Sequence, residues 1–109
     1  MSIDIPQISV EHLRTDLEQG VPLVDVREDD EYAQAHVPGA IHIPLATLPE
    51  RLGAINADGA VDIICRSGAR SQRAAEFLLS QGLLPRNVVG GTDAWVNAGY
   101  RVDTGPASA

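Results

Sequence analysis

With 109 residues, 44% of them hydrophobic, the chain carries enough apolar material for one compact core and too little length for two ordinary domains. A formal net charge of −7 and a pI near 4.7 argue against nucleic acid or an anionic membrane surface as a partner, because both select a basic face. A single cysteine excludes an internal disulfide framework and a multi-thiolate metal site, and no apolar run approaches membrane-spanning length.

The N-terminus, Met-Ser-Ile-Asp-Ile-Pro, has neither the basic segment nor the apolar stretch of a secretory signal, so a cytoplasmic location is expected, where an exposed thiol stays reduced. Residues 1 to 7 read as a loose arm, with Gln7-Ile8 as a short edge strand. Ser9 is placed to cap a helix through about Glu18, in which Val10, Leu13 and Leu17 recur on one face and Gln19-Gly20 ends the run; His12 falls on its polar side. Val21 to Val26 then read as a buried strand, with Asp25 and Arg27 at its carboxyl end. The acidic run Glu28-Asp29-Asp30-Glu31 opens a short helix, since carboxylates suit the positive end of the helix dipole.

After the Pro38-Gly39 turn, Ala40 to Ile43 form a short strand that Pro44 stops. His36 and His42 flank that turn six residues apart, without carboxylate or cysteine at ligand spacing, so no metal site is expected and His36 is read as a turn-stabilising residue. Leu45 to Ile55 carry Leu48, Leu52 and Ile55 at helical intervals and predict one helix with Pro49 in its first turn; Asn56 to Gly59 form the next turn.

The apolar run Val61, Ile63, Ile64 predicts a central strand ending at Cys65, and a polar turn, Arg66-Ser67-Gly68-Ala69-Arg70, leads into a helix over Ser71 to Gln81. In an open α/β sheet, ligands bind at the carboxyl ends of strands, where turn amides and a helix N-terminus converge. The predicted arrangement is an anion cradle around a thiol. The helix start and the guanidinium groups of Arg66 and Arg70 are expected to pull the Cys65 pKa below its ordinary value of about 8.5, which makes the side chain a nucleophile at neutral pH. The competing view, an inert cysteine serving as a small hydrophobe, leaves the cationic, Gly-containing flank without a purpose.

Pro85 begins the next connection, Asn87-Val88-Val89 reads as a strand, and Gly90-Gly91 turns into a helix of about Thr92 to Asn97 that puts Trp95 in the core. The third glycine of a dinucleotide fingerprint and the lysine of a P-loop are both missing, so no nucleotide cofactor is expected. Residues 103 to 109 read as a mobile tail. Four or five short strands alternating with helices predict a small three-layer α/β domain: a mainly parallel sheet with helices on both faces, its core spanning about residues 8 to 102.

Cys65-Arg66-Ser67-Gly68-Ala69-Arg70-Ser71 resembles the active-site loop of the rhodanese family in its single-domain form. Val24-Asp25-Val26-Arg27, Glu31-Tyr32 and His36-Val37-Pro38-Gly39-Ala40-Ile41-His42-Ile43-Pro44 resemble that family's upstream signature, and Gly90-Gly91-Thr92-Asp93-Ala94-Trp95 its downstream one. Ala35 departs from the pattern, which usually has Gly before the histidine. The resemblance implies a sulfurtransferase: catalytic Cys65, a substrate-binding loop from Arg66 to Ser71, and supporting roles for Asp25 and Arg27. It also implies a small anionic donor such as thiosulfate or a persulfide, and a thiophilic acceptor such as cyanide, glutathione or a protein thiol, with no cofactor. Two readings compete. A cysteine phosphatase or arsenate reductase also uses a thiolate cradle, but its loop has five residues between Cys and Arg where this chain has four. A non-catalytic interaction module keeps the fold but has no need of Cys65 and both arginines.

Overall fold

In the computed structural model, which describes residues 4–107, strands and helices alternate along the chain: β1 (Gln7–Ile8), α1 (Val10–Glu18), β2 (Leu23–Asp25), α2 (Asp29–Gln34), β3 (Ile41–His42), β4 (Ala60–Ile64), α3 (Ala69–Ser80), β5 (Leu84–Val88) and α4 (Gly91–Asn97). All pairings among these five strands are parallel, in the order β1-β5-β4-β2-β3. That order puts β4 at the centre of the sheet, so its carboxyl end opens between neighbours on both sides. Ser9 caps α1 as its sequence position predicts, its hydroxyl accepting from the His12 N–H at 3.0 Å.

The two-residue pleat period sorts β4 cleanly. Val61, Ile63 and Cys65 face α3, where Ala74, Ala75 and Leu78 complete one apolar layer together with Val24, Leu48 and Ile55. Ile64 and Leu23 face the other way, against Leu13 of α1 and Trp95 of α4. The thiol therefore belongs to the α3 side of the sheet, in line with core side chains.

Three expectations change. Leu45 to Ile55 form two 3-10 helices, Leu45–Glu50 and Leu52–Ala54, in place of one α-helix, because Pro49 lacks the N–H and crowds the preceding turn. The anchoring leucine still works, since Leu48 is buried. Pro85 lies inside β5 and pairs with Val61, where a connection was expected. It is tolerated because alternation points its nitrogen to the same side as the Asn87 N–H, which bonds the Pro6 carbonyl at 2.8 Å, and the parallel β1 begins only at Gln7, opposite Asn87 and beyond Pro85. The loose ends are also shorter than expected. Ile5 is a core residue, His36 and Asp103 exchange both backbone hydrogen bonds at 2.9 Å, and Gly105 N–H reaches the Ala33 carbonyl. The rest of the expected arm and tail, residues 1–3 and 108–109, lies outside the described residues.

Candidate active site

Cys65 follows β4 directly, and the residue is 1% exposed. Gly68 adopts φ +113°, a left-handed conformation that residues with a Cβ rarely take, and this reversal brings its N–H to 3.1 Å from Cys65 Sγ. Ser71, in the first turn of α3, is fully buried and sets its Oγ 3.3 Å from the same sulfur. Burial pushes the thiol pKa up, but the Ser71 hydroxyl and the peptide N–H groups of Ser71, Gly68 and Ser67 outweigh it, and the net shift is downward. The arrangement favours a sulfur anion.

A second set of contacts aims those amides. Cys65 O accepts from the Thr92 N–H at 2.9 Å and the Thr92 hydroxyl at 3.2 Å, and Arg66 O accepts from the Asp93 N–H at 3.1 Å. With both carbonyls drawn to the first turn of α4, the loop's carbonyl dipoles are directed away from the sulfur. Asn87 on β5 holds the opposite flank: its Oδ1 lies 2.5 Å from Ser71 Oγ, and its Nδ2 donates to Gly68 O at 3.2 Å. Sequence reading gave Thr92 and Asn87 no role in the site. Gly90-Gly91 was the available signal, because a glycine pair before a helix marks a close backbone approach.

Among the described residues, neither arginine hydrogen-bonds the sulfur. Arg70 donates from Nη1 and Nη2 to the two carboxylate oxygens of Glu31, at 2.7 and 2.8 Å. That paired hydrogen bonding holds the Glu31 pKa down at about 2 and raises that of Arg70. Arg66 is largely exposed, and its Nε lies 3.5 Å from Asp93 Oδ2. The sulfur's hydrogen bonds among the described residues come from peptide groups and a hydroxyl, so neutral donors lead the lowering, while the Arg70 charge attracts the thiolate through space without contact. Ser67 and Ala69 are exposed at the crest of the turn.

Asp25 and Arg27 are buried and bond each other: Arg27 Nη2 donates to Asp25 Oδ2 at 2.9 Å and Arg27 Nε to Asp25 Oδ1 at 3.1 Å. The guanidinium also donates to Ala35 O at 2.7 Å. None of these bonds reaches residues 65 to 71, so the pair braces the α2–β3 connection and not the loop itself. His36 and His42 stack on opposite sides of the Tyr32 ring at centroid distances of 3.7 and 4.3 Å, and their ring nitrogens meet the carbonyls of Tyr32 and Arg27. A cavity of about 300 Å³ opens beside the loop, walled by Arg27, Glu31, Ala35, Arg66, Asp93 and Val96. A larger one, about 760 Å³, lies away from the thiol between Arg14 and Tyr100.

The Rhodanese-like domain family matches residues 9–98. The chain belongs to the rhodanese-like family. A proposed sulfur carrier protein of Bacillus subtilis, YrkF, is 40% identical over 94 residues, covering 84% of this chain; the chain spans about half of that relative, 51% of its length. The thiosulfate sulfurtransferase GlpE of Pseudomonas fluorescens is 33% identical over 93 residues, covering 84% of this chain and 85% of the relative. The crystal structure of a rhodanese-related protein from Thermoplasma volcanium superposes with a TM-score of 0.83 at 32% identity, covering 90% of this chain and 97% of that one. The names of these relatives support a sulfur-transfer role for this rhodanese-like chain. Ala35, which departs from the family pattern, has φ −169° and ψ 138°, extended backbone that any residue adopts, so alanine fits there without strain. No helix among the described residues is long and apolar enough to cross a membrane.

Proposed function

We propose that the protein moves a sulfane sulfur from thiosulfate, or from a persulfide donor, to a thiophilic acceptor through a persulfide on Cys65. The observation that carries this reading is the convergence of the Gly68 N–H and the Ser71 hydroxyl on Cys65 Sγ, at 3.1 and 3.3 Å. The Cys65 thiolate attacks the outer sulfur of thiosulfate; a Cys65 Sγ–S bond forms, the S–S bond of thiosulfate breaks, and sulfite leaves with that electron pair. The charge remains on the outer sulfur of the persulfide, where the amides of residues 67 to 71 act as an oxyanion hole does. An acceptor nucleophile, cyanide or a thiolate, then takes the outer sulfur and returns Cys65 to the thiolate. Such a double displacement gives ping-pong kinetics. Arg66, at the edge of the cavity beside the loop, meets the incoming anion, while Arg70, tied to Glu31, fixes the start of α3. The name of the GlpE relative supports thiosulfate as donor.

The test is transfer of sulfur from thiosulfate to cyanide by the wild-type protein and by Cys65→Ser. The expected result is loss of transfer in the variant, and equal rates in both overturn the reading.

A further inference from the structure

The hydrogen-bond valence of Ser71 is oversubscribed. Its hydroxyl has one proton and two neighbours that accept it, Asn87 Oδ1 at 2.5 Å and Cys65 Sγ at 3.3 Å. The orientation of Asn87 follows from fixed acceptors. Ile5 O can only accept, so Gln7 Nε2 faces it at 2.9 Å and gives its other hydrogen to Gln72 Oε1 at 2.7 Å. Gln7 Oε1 therefore accepts from Asn87 Nδ2 at 2.8 Å, and the second Asn87 hydrogen goes to Gly68 O, again an obligate acceptor. Asn87 must present its oxygen to Ser71. Both residues are buried, Ser71 fully and Asn87 to within 4%, so water does not relieve the conflict.

The consequence depends on the state of the sulfur. A thiol donates its own S–H to Ser71 Oγ, and Ser71 donates onward to Asn87. A thiolate has no proton to give, so the Ser71 hydroxyl turns to Sγ and leaves Asn87 Oδ1 unpaired in a dry site. We propose that Asn87 is a positioning residue that competes with Cys65 for the Ser71 proton: forming the thiolate costs the Ser71–Asn87 hydrogen bond, and the proton returns to Asn87 when negative charge leaves Sγ. The last clause rests on the persulfide cycle proposed above, in which charge moves to the outer sulfur. Of the charged groups around the loop, Arg70 of α3 is bonded to Glu31 of α2 and attracts the Cys65 thiolate through space, Arg66 pairs with Asp93 of α4, and Asp25 with Arg27 at the end of β2; none of them hydrogen-bonds the Ser71 hydroxyl.

The pH dependence of Cys65 alkylation by iodoacetamide tests this in the wild-type chain, Asn87→Ala, Ser71→Ala and the double variant. Asn87→Ala is expected to move the midpoint down by about half to one pH unit, Ser71→Ala to move it up by about as much, and Asn87→Ala to have no effect once Ser71 is alanine. An equal shift from Asn87→Ala in both backgrounds overturns the proposal, as does an upward shift, which would mark Asn87 as only an anchor for the Gly68 carbonyl. Should Asn87→Ala fail to fold, Asn87→Asp retains an acceptor and adds charge; its upward shift is expected to shrink in the Ser71→Ala background, and an unchanged shift counts against the coupling. Alkylation reads the thiol without any sulfur donor, so this result stands apart from the outcome of the Cys65→Ser transfer assay.

Discussion

A Cβ on Gly91 would overlap the carbonyl oxygen of Cys65 and come within 2.6 Å of the carbonyl oxygen of Arg66. The same glycine has φ +57°, so it is constrained both by its own backbone and by what lies across from it. The close approach lets the Thr92 and Asp93 N–H groups reach those two carbonyls and orient the loop.

Gly91→Ala is therefore expected to lose about 1–3 kcal/mol from the left-handed backbone alone, with the clash adding to it. Sulfur transfer should fall further than stability does, because the displaced backbone is that of Cys65 and Arg66. Urea denaturation alongside a transfer assay separates the two effects, and a variant with wild-type midpoint and rate would contradict the account.

The thiol of Cys65 is held below its ordinary range by hydrogen bonds that outweigh burial, so its thiolate forms at lower pH than that of a free cysteine. Alkylation by iodoacetamide should rise with pH and level off below about 8.5. A curve still climbing through that value would show that burial wins.

Glu31 has its pKa lowered from 4.5 to about 2, chiefly by hydrogen bonding to Arg70. A carboxylate with a depressed folded-state pKa contributes stability that is present above 4.5 and is lost as pH falls toward 2. Glu31→Gln is expected to be about 1 kcal/mol less stable at pH 7 and to show a flatter acid limb between pH 5 and 2. Parallel limbs for the two proteins in acid denaturation monitored by circular dichroism would remove the pair from the acid response.

Asp62 carries the opposite sign. It is fully buried on β4, shares Arg86 with Asp16 of α1, and leaves its Oδ2 without a hydrogen-bond partner among the described residues. Burial first, and then the neighbouring Asp16, push its pKa from 3.8 up to about 7, with Arg86 opposing both. The folded state thus retains a proton that the unfolded chain has released, so stability declines as pH rises from 3.8 through 7. Asp62→Asn keeps the shape and an acceptor for Arg86, and it is expected to be more stable than wild type at pH 8 with little difference at pH 4. Chemical denaturation at the two pH values decides it; a less stable Asp62→Asn at pH 8 would show that Arg86 keeps the carboxylate charged.

Local chemistry wrote much of this protein into its sequence. The alternation of apolar runs with capped helical patterns was enough for a parallel α/β sheet, and the passage from Ile64 through Cys65 to a Gly-containing turn located the candidate site, because pleat, left-handed turn and helix start are properties of neighbouring residues. What lies far apart in the chain was decided only in three dimensions. Glu31 and Arg70 are 39 residues apart, Cys65 and Thr92 are 27, and Ser71 and Asn87 are 16, and each pair meets because adjacent parallel strands and their helices deliver them to one end of the sheet. Sequence could count the arginines near the thiol but not foresee that Glu31 and Asp93 would hold them, leaving Arg70 to act on the sulfur through space only. Hydrogen-bond valence is settled by whichever partner the fold brings within about 3 Å, and no local pattern encodes that distance.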